Sequence, residues 1–183
     1  MRRGIGKHIG NYEPDKSLAS SFEWVASAVY ALIFVALFLC LTFRVVTVSG
    51  DSMRDTLNSG DRLLLCGLMY TPEHGDIVVV HRNDDTPLIK RVIALEGDTI
   101  RIDGSSGIVY RNGEALSEPY VLGGFTTTYG MDEEIVIPEG HIFVMGDNRR
   151  ESLDSRLLGS IPMENLVGKV YFRISPNLGR IEE

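Results

Sequence analysis

Twenty consecutive residues without a charged side chain, from Trp24 to Phe43, constrain this chain more than any other feature of its sequence. As an α-helix this run is about 30 Å long, which matches the hydrocarbon core of a bilayer. A buried core helix is the alternative, but such a helix normally carries a polar stripe, and only Ser27 and Thr42 could form one here. A cleaved signal peptide has a shorter apolar region of about 7–15 residues. The run therefore predicts an uncleaved membrane anchor over residues 24–43, between a short segment, residues 1–23, and a body, residues 44–183.

The charge of the body excludes one class of partner. The chain carries 18 basic and 25 acidic residues, a net charge of −7, of which −8 falls on residues 44–183. Since phosphate contacts need a basic surface, nucleic-acid binding is not expected. Charge does not settle the orientation of the anchor, because basic residues are nearly balanced on its two sides.

Short apolar runs separated by turn residues follow the anchor. They predict eight strands: Val45–Val48, Arg62–Leu65, Ile77–His81, Leu88–Leu95, Thr99–Ile102, Ile108–Arg111, Glu134–Ile137 and Ile142–Met145. Turn signals such as Asn112-Gly113 punctuate them. The prediction is a mainly β body, an antiparallel sheet or barrel-like domain, preceded by one N-terminal transmembrane helix.

Motif searches leave few sources of chemistry in this body. There is no phosphate-binding loop, no H-E-x-x-H zinc motif and no Cys/His zinc spacing, so no metal or cofactor is expected. Four scattered histidines lie beside no convincing serine or aspartate, which weakens a Ser-His-Asp hydrolase. A serine paired with a lysine remains, because a lysine that is buried among apolar groups can lose its proton near neutral pH.

Lys90 is the candidate base and Ser52 the candidate nucleophile. In a strand, Lys90 shares a face with Leu88, Val92 and Ala94, where a neutral amine is favoured over an ammonium. Ser52 follows an apolar strand at a glycine-containing turn, where backbone N–H groups can form an oxyanion hole. A snorkelling lysine and an ordinary turn serine are the alternatives.

A third segment, residues 146–156, is almost entirely polar and follows an apolar strand. It contains Asp147 and Asp154 together with Arg149 and Arg156. These four residues predict a bidentate ion-pair network that holds the local geometry, with a solvated loop as the alternative.

Together the three segments resemble the type I signal peptidases, membrane-anchored Ser-Lys proteases. Ser52-Met53 with Thr56-Leu57 is similar to the nucleophile box of that family, and residues 89–93 with Gly97-Asp98 resemble its lysine box. Residues 146–149 with Ser152 and residues 154–156 match its last box. One departure is Asp55, where the family usually has proline. A carboxylate near Lys90 is expected to raise the pKa of the amine.

The resemblance implies a role for each matching residue. Ser52 is the nucleophile and Lys90 the general base, Ser152 orients the lysine amine, and Gly50 contributes to oxyanion binding. Asp154 and Arg156 form a supporting ion pair near Asp147. The side chains expected to line shallow apolar substrate pockets are Met53, Leu57, Leu88 and Ile89.

The function implied is cleavage of signal peptides from exported preproteins, at a cell membrane. The resemblance places the N-terminus in the cytoplasm and the body outside, with signal peptides and the lipid bilayer as partners. A specialised Ser-Lys peptidase for one pilin-like or secreted substrate is an alternative. Another is an inactive anchored homologue that serves in binding or assembly.

Overall fold

The computed structural model describes residues 16–68, 70–82, 87–131 and 133–181. The chain divides into two compact units, residues 1–41 and 42–183.

One long helix, α1, spans Lys16–Thr42 and represents the first unit. Within it, Ser21–Thr42 has a mean hydropathy of 2.5 and is long and apolar enough to cross a membrane. At 1.5 Å per residue these 22 residues extend about 33 Å. The helix ends one residue earlier than the predicted anchor does, because Phe43 already belongs to the first strand.

The second unit contains twelve strands and one short helix, α2, at Ser155–Leu158, among the residues described. Turns of 3₁₀ helix lie at Leu122–Gly124 and Met163–Asn165. The strands are β1 (Phe43–Thr47), β2 (Arg62–Cys66), β3 (Ile77–His81), β4 (Pro87–Ala94), β5 (Thr99–Ile102), β6 (Val109–Arg111), β7 (Glu114–Ala115), β8 (Ile135–Val136), β9 (His141–Met145), β10 (Ile161–Pro162), β11 (Leu166–Ser175) and β12 (Gly179–Arg180).

These strands form two antiparallel sheets. The larger sheet has the order β1-β2-β11-β3-β4-β9-β10, with β12 paired to β11. The smaller sheet has the order β7-β6-β5-β8. The prediction of a mainly antiparallel β body is therefore confirmed.

Three apolar clusters form the core of this unit. Met53, Leu57 and Leu63 belong to the first cluster and Val78 and Val92 to the third, both built largely from the larger sheet. The second cluster joins the smaller sheet to the ends of β4 and β9. A register shift between Val92 and Ala94 places Ala94 in this second cluster, so the expected Leu88, Val92 and Ala94 face is wrong at its last member.

All eight predicted strands are present with small changes in their bounds, but four others escaped prediction. They are β7, β10, β12 and the ten-residue β11, which lies between β2 and β3 in the larger sheet. Three register shifts interrupt β11, between Leu166 and Gly168, Val170 and Phe172, and Arg173 and Ser175. Each shift breaks the two-residue alternation by which a strand is recognised in a sequence.

Candidate active site

Ser52 and Lys90 are in direct hydrogen-bond contact. Lys90 Nζ donates to Ser52 Oγ over 2.7 Å and to the carbonyl oxygen of Ile89 over 3.0 Å. Lys90 lies on β4 with Val78 as its cross-strand partner, and only 2% of its surface is exposed. The position of Lys90 on β4 therefore places its amine next to Ser52 in the protein interior.

Burial changes the proton affinity of this amine. Desolvation lowers the pKa of Lys90 from 10.5 to about 8, with a smaller contribution in the same direction from Arg156. Asp154 and Asp147 oppose this shift. Asp55, an exposed residue, is not among the groups that act on Lys90, so the expected effect of its carboxylate is absent. A pKa near 8 leaves roughly a tenth of the amine neutral at pH 7, which suffices for a general base.

The turn that carries Ser52 is held by backbone hydrogen bonds. Gly50 adopts a φ of +88°, a conformation that favours glycine, and it lies on the surface. The backbone N–H of Asn148 donates to the Ser52 carbonyl over 3.1 Å, and Asn148 Nδ2 donates to the Asp51 carbonyl over 3.1 Å. The loop after β9 therefore holds the turn that carries Ser52 through two hydrogen bonds from Asn148.

Ser152 does not form the predicted hydrogen bond with Lys90. Its hydroxyl is buried and has no hydrogen-bond partner within the described part of the chain. It packs instead against Gly146, where an added Cβ would lie 2.3 Å from Ser152 Oγ and 2.4 Å from the Ser52 carbonyl oxygen. The Ser152 side chain thus fills space beside the nucleophile, while the lysine amine is oriented by Ser52 and the Ile89 carbonyl.

Arg91, next to Lys90 on β4, forms a fully buried ion pair with Asp147. Arg91 Nε and Nη2 donate to the two carboxylate oxygens over 2.9 and 2.8 Å. Thr56 donates to the same carboxylate over 2.6 Å, and the Tyr120 ring covers the guanidinium at 3.9 Å. This pair ties β4 and the segment after Ser52 to the start of the loop after β9.

Asp154 and Arg156 form the predicted second pair. Arg156 Nε and Nη2 donate to the two oxygens of Asp154 over 2.9 and 2.8 Å, and both side chains are buried. Asp154 also accepts from the backbone N–H of Gly146 over 3.1 Å. The pair therefore supports the glycine that packs against the nucleophile turn.

Two of the four residues in the predicted network, Asp147 and Arg149, pair with residues outside it. Arg149 binds Glu118, with distances of 3.0 and 2.6 Å, and does not pair with Asp147. Asp147 pairs with Arg91 because the antiparallel register sets Arg91 opposite Met145, two residues before Asp147. The sequence analysis assigned no partner to Arg91. The signal that was available is its position in the register between two predicted strands.

Two of the four predicted pocket residues present no surface to a substrate. Met53 is 1% exposed and Leu57 is 0% exposed, and both pack in the first apolar cluster. In this structure the side chains directly after the nucleophile turn point into the core, and their substrate contacts stay a prediction. Leu88 and Ile89 are half-buried and remain available.

No group of three or more potential metal ligands occurs in the described residues.

The chain matches the family model described as "Signal peptidase, peptidase S26" over residues 21–175. The Probable signal peptidase I-1 of Synechocystis sp. is 38% identical over 162 residues, which cover 79% of this chain and 80% of that protein. Signal peptidase IB of Staphylococcus aureus is 35% identical over 174 residues, covering 84% and 89%. A crystal structure of a signal peptidase I from Enterococcus faecalis is 29% identical, covers 55% of this chain and 97% of its own, and has a TM-score of 0.47.

Proposed function

This chain belongs to the signal peptidase family, peptidase S26, and on that premise we propose how its residues cleave signal peptides from preproteins. It is a serine endopeptidase. The 2.7 Å contact between Ser52 Oγ and the buried Lys90 amine is the observation that supports the assignment of the dyad. A serine hydroxyl is a weak nucleophile until such a base accepts its proton.

In the proposed mechanism the neutral Lys90 amine removes the proton from Ser52 Oγ as this oxygen attacks the scissile carbonyl. The negative charge on the carbonyl oxygen is stabilised by the backbone N–H of Ser52. This N–H lies in the turn that contains Gly50, whose φ is +88°. The Lys90 ammonium then protonates the departing amine, which leaves the signal peptide as an ester on Ser52. Lys90 next deprotonates a water molecule, and hydrolysis of the ester restores the free hydroxyl.

The apolar side chains beside Lys90 suit the part of the substrate that precedes the cleavage site. Leu88 and Ile89 are half-buried on β4, directly before the base. Signal peptides carry small residues before the cleavage site. We assign contact with these small side chains to Leu88 and Ile89.

For the membrane setting we propose a single-pass protein with residues 1–23 in the cytoplasm and residues 44–183 outside. A helix long and apolar enough to cross a bilayer and the family membership support this arrangement. Protease added to intact cells or spheroplasts should degrade residues 44–183 and spare the N-terminal segment. Degradation of the N-terminal segment alone would reverse the topology.

Cleavage of a secretory precursor by the full chain in detergent tests the dyad. Ser52→Ala and Lys90→Met should each lower the rate by about a thousandfold or more, because each removes a group that reacts. Asp55→Asn is the matched control, since Asp55 is exposed and does not act on Lys90. Full activity in both dyad variants would exclude this mechanism.

The inactive-homologue alternative is not favoured, because the nucleophile and the base are in contact. A panel of unrelated precursors separates a general peptidase from a specialised one. Cleavage of most of the panel is expected.

A further inference from the structure

A charged cavity lies beside the nucleophile turn, and the mechanism above does not use it. Its volume is about 240 Å³, which is smaller than a drug-sized pocket and suits one or two side chains of an extended peptide. The residues that line it are Arg54, Leu122, Gly123, Asn148, Arg150 and Glu151.

Backbone contacts connect this cavity to Ser52. Asn148, in the cavity wall, donates its backbone N–H to the Ser52 carbonyl and its side-chain amide to the Asp51 carbonyl. Arg54 lies two residues after Ser52, and its backbone N–H donates to Asp51 over 3.0 Å. The 3₁₀ turn that forms another wall of the cavity is bound to the loop after β9, since the backbone N–H of Leu122 donates to the Asp147 carbonyl over 3.1 Å. Consecutive residues of an extended peptide are about 3.3 Å apart, so residues next to the scissile bond can reach this cavity.

The charge of the cavity is positive on balance. Arg54 and Arg150 are exposed and contribute two guanidinium groups, against the single carboxylate of Glu151. The buried arginines of the site, Arg91, Arg149 and Arg156, are each paired with a carboxylate. Arg54 and Arg150 take part in none of those pairs, so their charge remains available to a ligand.

Chemistry indicates which half of a substrate fits. A signal peptide has an apolar region and small residues before the cut, and neither matches a cavity lined by three charged side chains. The half-buried apolar side chains that we assign to those residues, Leu88 and Ile89, lie instead on the strand that carries Lys90.

We propose that this cavity is a subsite for the first residues after the cut, and that it favours an acidic side chain there. The proposal rests on the function proposed above. Arg54 and Arg150 are the specificity-determining residues, and Glu151 opposes them.

Three peptides test this subsite with the full-length protein in detergent. They share one sequence up to the cut and carry Ala, Glu or Lys at the two positions after it. We expect wild-type kcat/KM to be higher for the Glu peptide than for the Lys peptide, by about two- to fivefold for each arginine. The preference should shrink in 1 M salt, where the screening length falls to about 3 Å.

The variants are Arg54→Glu, Arg150→Glu and the double variant, with Arg62→Glu as a control that makes the same charge change at an exposed position of β2. The double variant should prefer the Lys peptide, and the control should keep the wild-type ratio. Because the readout is a ratio within one enzyme sample, loss of folded protein does not change it.

An unchanged Glu-to-Lys ratio in the double variant, or an equal change in Arg62→Glu, would overturn the subsite. So would equal cleavage of the two peptides by the wild type. The Ala peptide keeps this result separate from the proposed function. If the wild type cleaves it and Ser52→Ala does not, the function stands whatever becomes of the subsite.

Discussion

Two neighbouring regions of this site have opposite effects on a buried positive charge. At the dyad, Lys90 is 2% exposed, and its amine contacts a neutral hydroxyl and a neutral carbonyl. Immediately behind it, Arg91 and Arg156 are as deeply buried, but each binds a carboxylate through two hydrogen bonds. The first environment disfavours the charge and the second retains it.

The difference explains how one strand can carry both the proposed base and a structural cation. A lysine responds to desolvation by losing its proton, whereas a guanidinium stays protonated and must be paired. Asp147 and Asp154 act on Lys90 through space and raise its pKa, yet desolvation outweighs them. Their carboxylates are already engaged by arginines, which leaves Lys90 poised near neutral pH.

The largest effect is expected when the lysine at position 90 is replaced by arginine. Lys90→Arg keeps a positive charge and a long side chain, but a guanidinium cannot accept the Ser52 proton. The cleavage rate should fall by about a thousandfold or more. Residual activity within tenfold of the wild type, measured on a secretory precursor, would show that Lys90 is not the base.

Stability should respond with opposite signs to the removal of the two cations of β4. Arg91→Met leaves Asp147 buried without its partner and should cost about 3–5 kcal/mol of unfolding free energy. Lys90→Met removes a desolvated amine and should stabilise the protein by about 1–3 kcal/mol at pH 7. Urea unfolding midpoints of the two variants against the wild type provide the measurement.

The size of the Lys90→Met effect depends on pH. The folded pKa, about 8, lies below the reference value of 10.5, so the unfolded chain binds more protons between these values. Wild-type stability therefore rises with pH across this window, and the advantage of the variant should be full below pH 8 and decline above it. An advantage that does not change between pH 7 and 10 would contradict the lowered pKa.

Gly146→Ala tests whether the ion pairs hold the nucleophile turn through close packing. The added Cβ would lie within 2.4 Å of the Ser52 carbonyl oxygen and Ser152 Oγ, so the turn must shift. A displacement of about 1 Å is enough to lower kcat about a hundredfold. Gly179→Ala is the matched control, because its added Cβ meets no atom within 4 Å and its φ lies outside the left-handed region. Equal activity of both variants would exclude this positioning role.

The smallest effect concerns the wild-type pH profile. Because the neutral amine is the active form, kcat/KM should rise about tenfold per pH unit below 8 and level off above it. Asp55→Asn should leave this midpoint unchanged, since Asp55 does not act on Lys90. A rate that is constant between pH 6 and 9 would exclude a lysine base with this pKa.

Sequence reasoning succeeded where a local pattern carries the information. The apolar run predicted the helix, and alternating residues between turn signals predicted eight strands. The family-like segments pointed to Ser52 and Lys90, which lie in hydrogen-bond contact. It failed where distant segments meet. The alternation of β11 is broken by three register shifts, and the Arg91–Asp147 pair depends on the register between β4 and β9.

Residue types and their order along the chain thus determined the long apolar helix and the β-rich body, and they predicted a serine-lysine pair as the source of the chemistry. Tertiary structure alone decided that Ser52 and Lys90 are in contact, that Met53 and Leu57 lie in the core, and that Ser152 forms no bond to the lysine. The physical reason is that burial and pairing are set by strand register and by bulges. Those features arise only when segments far apart in the sequence pack against each other.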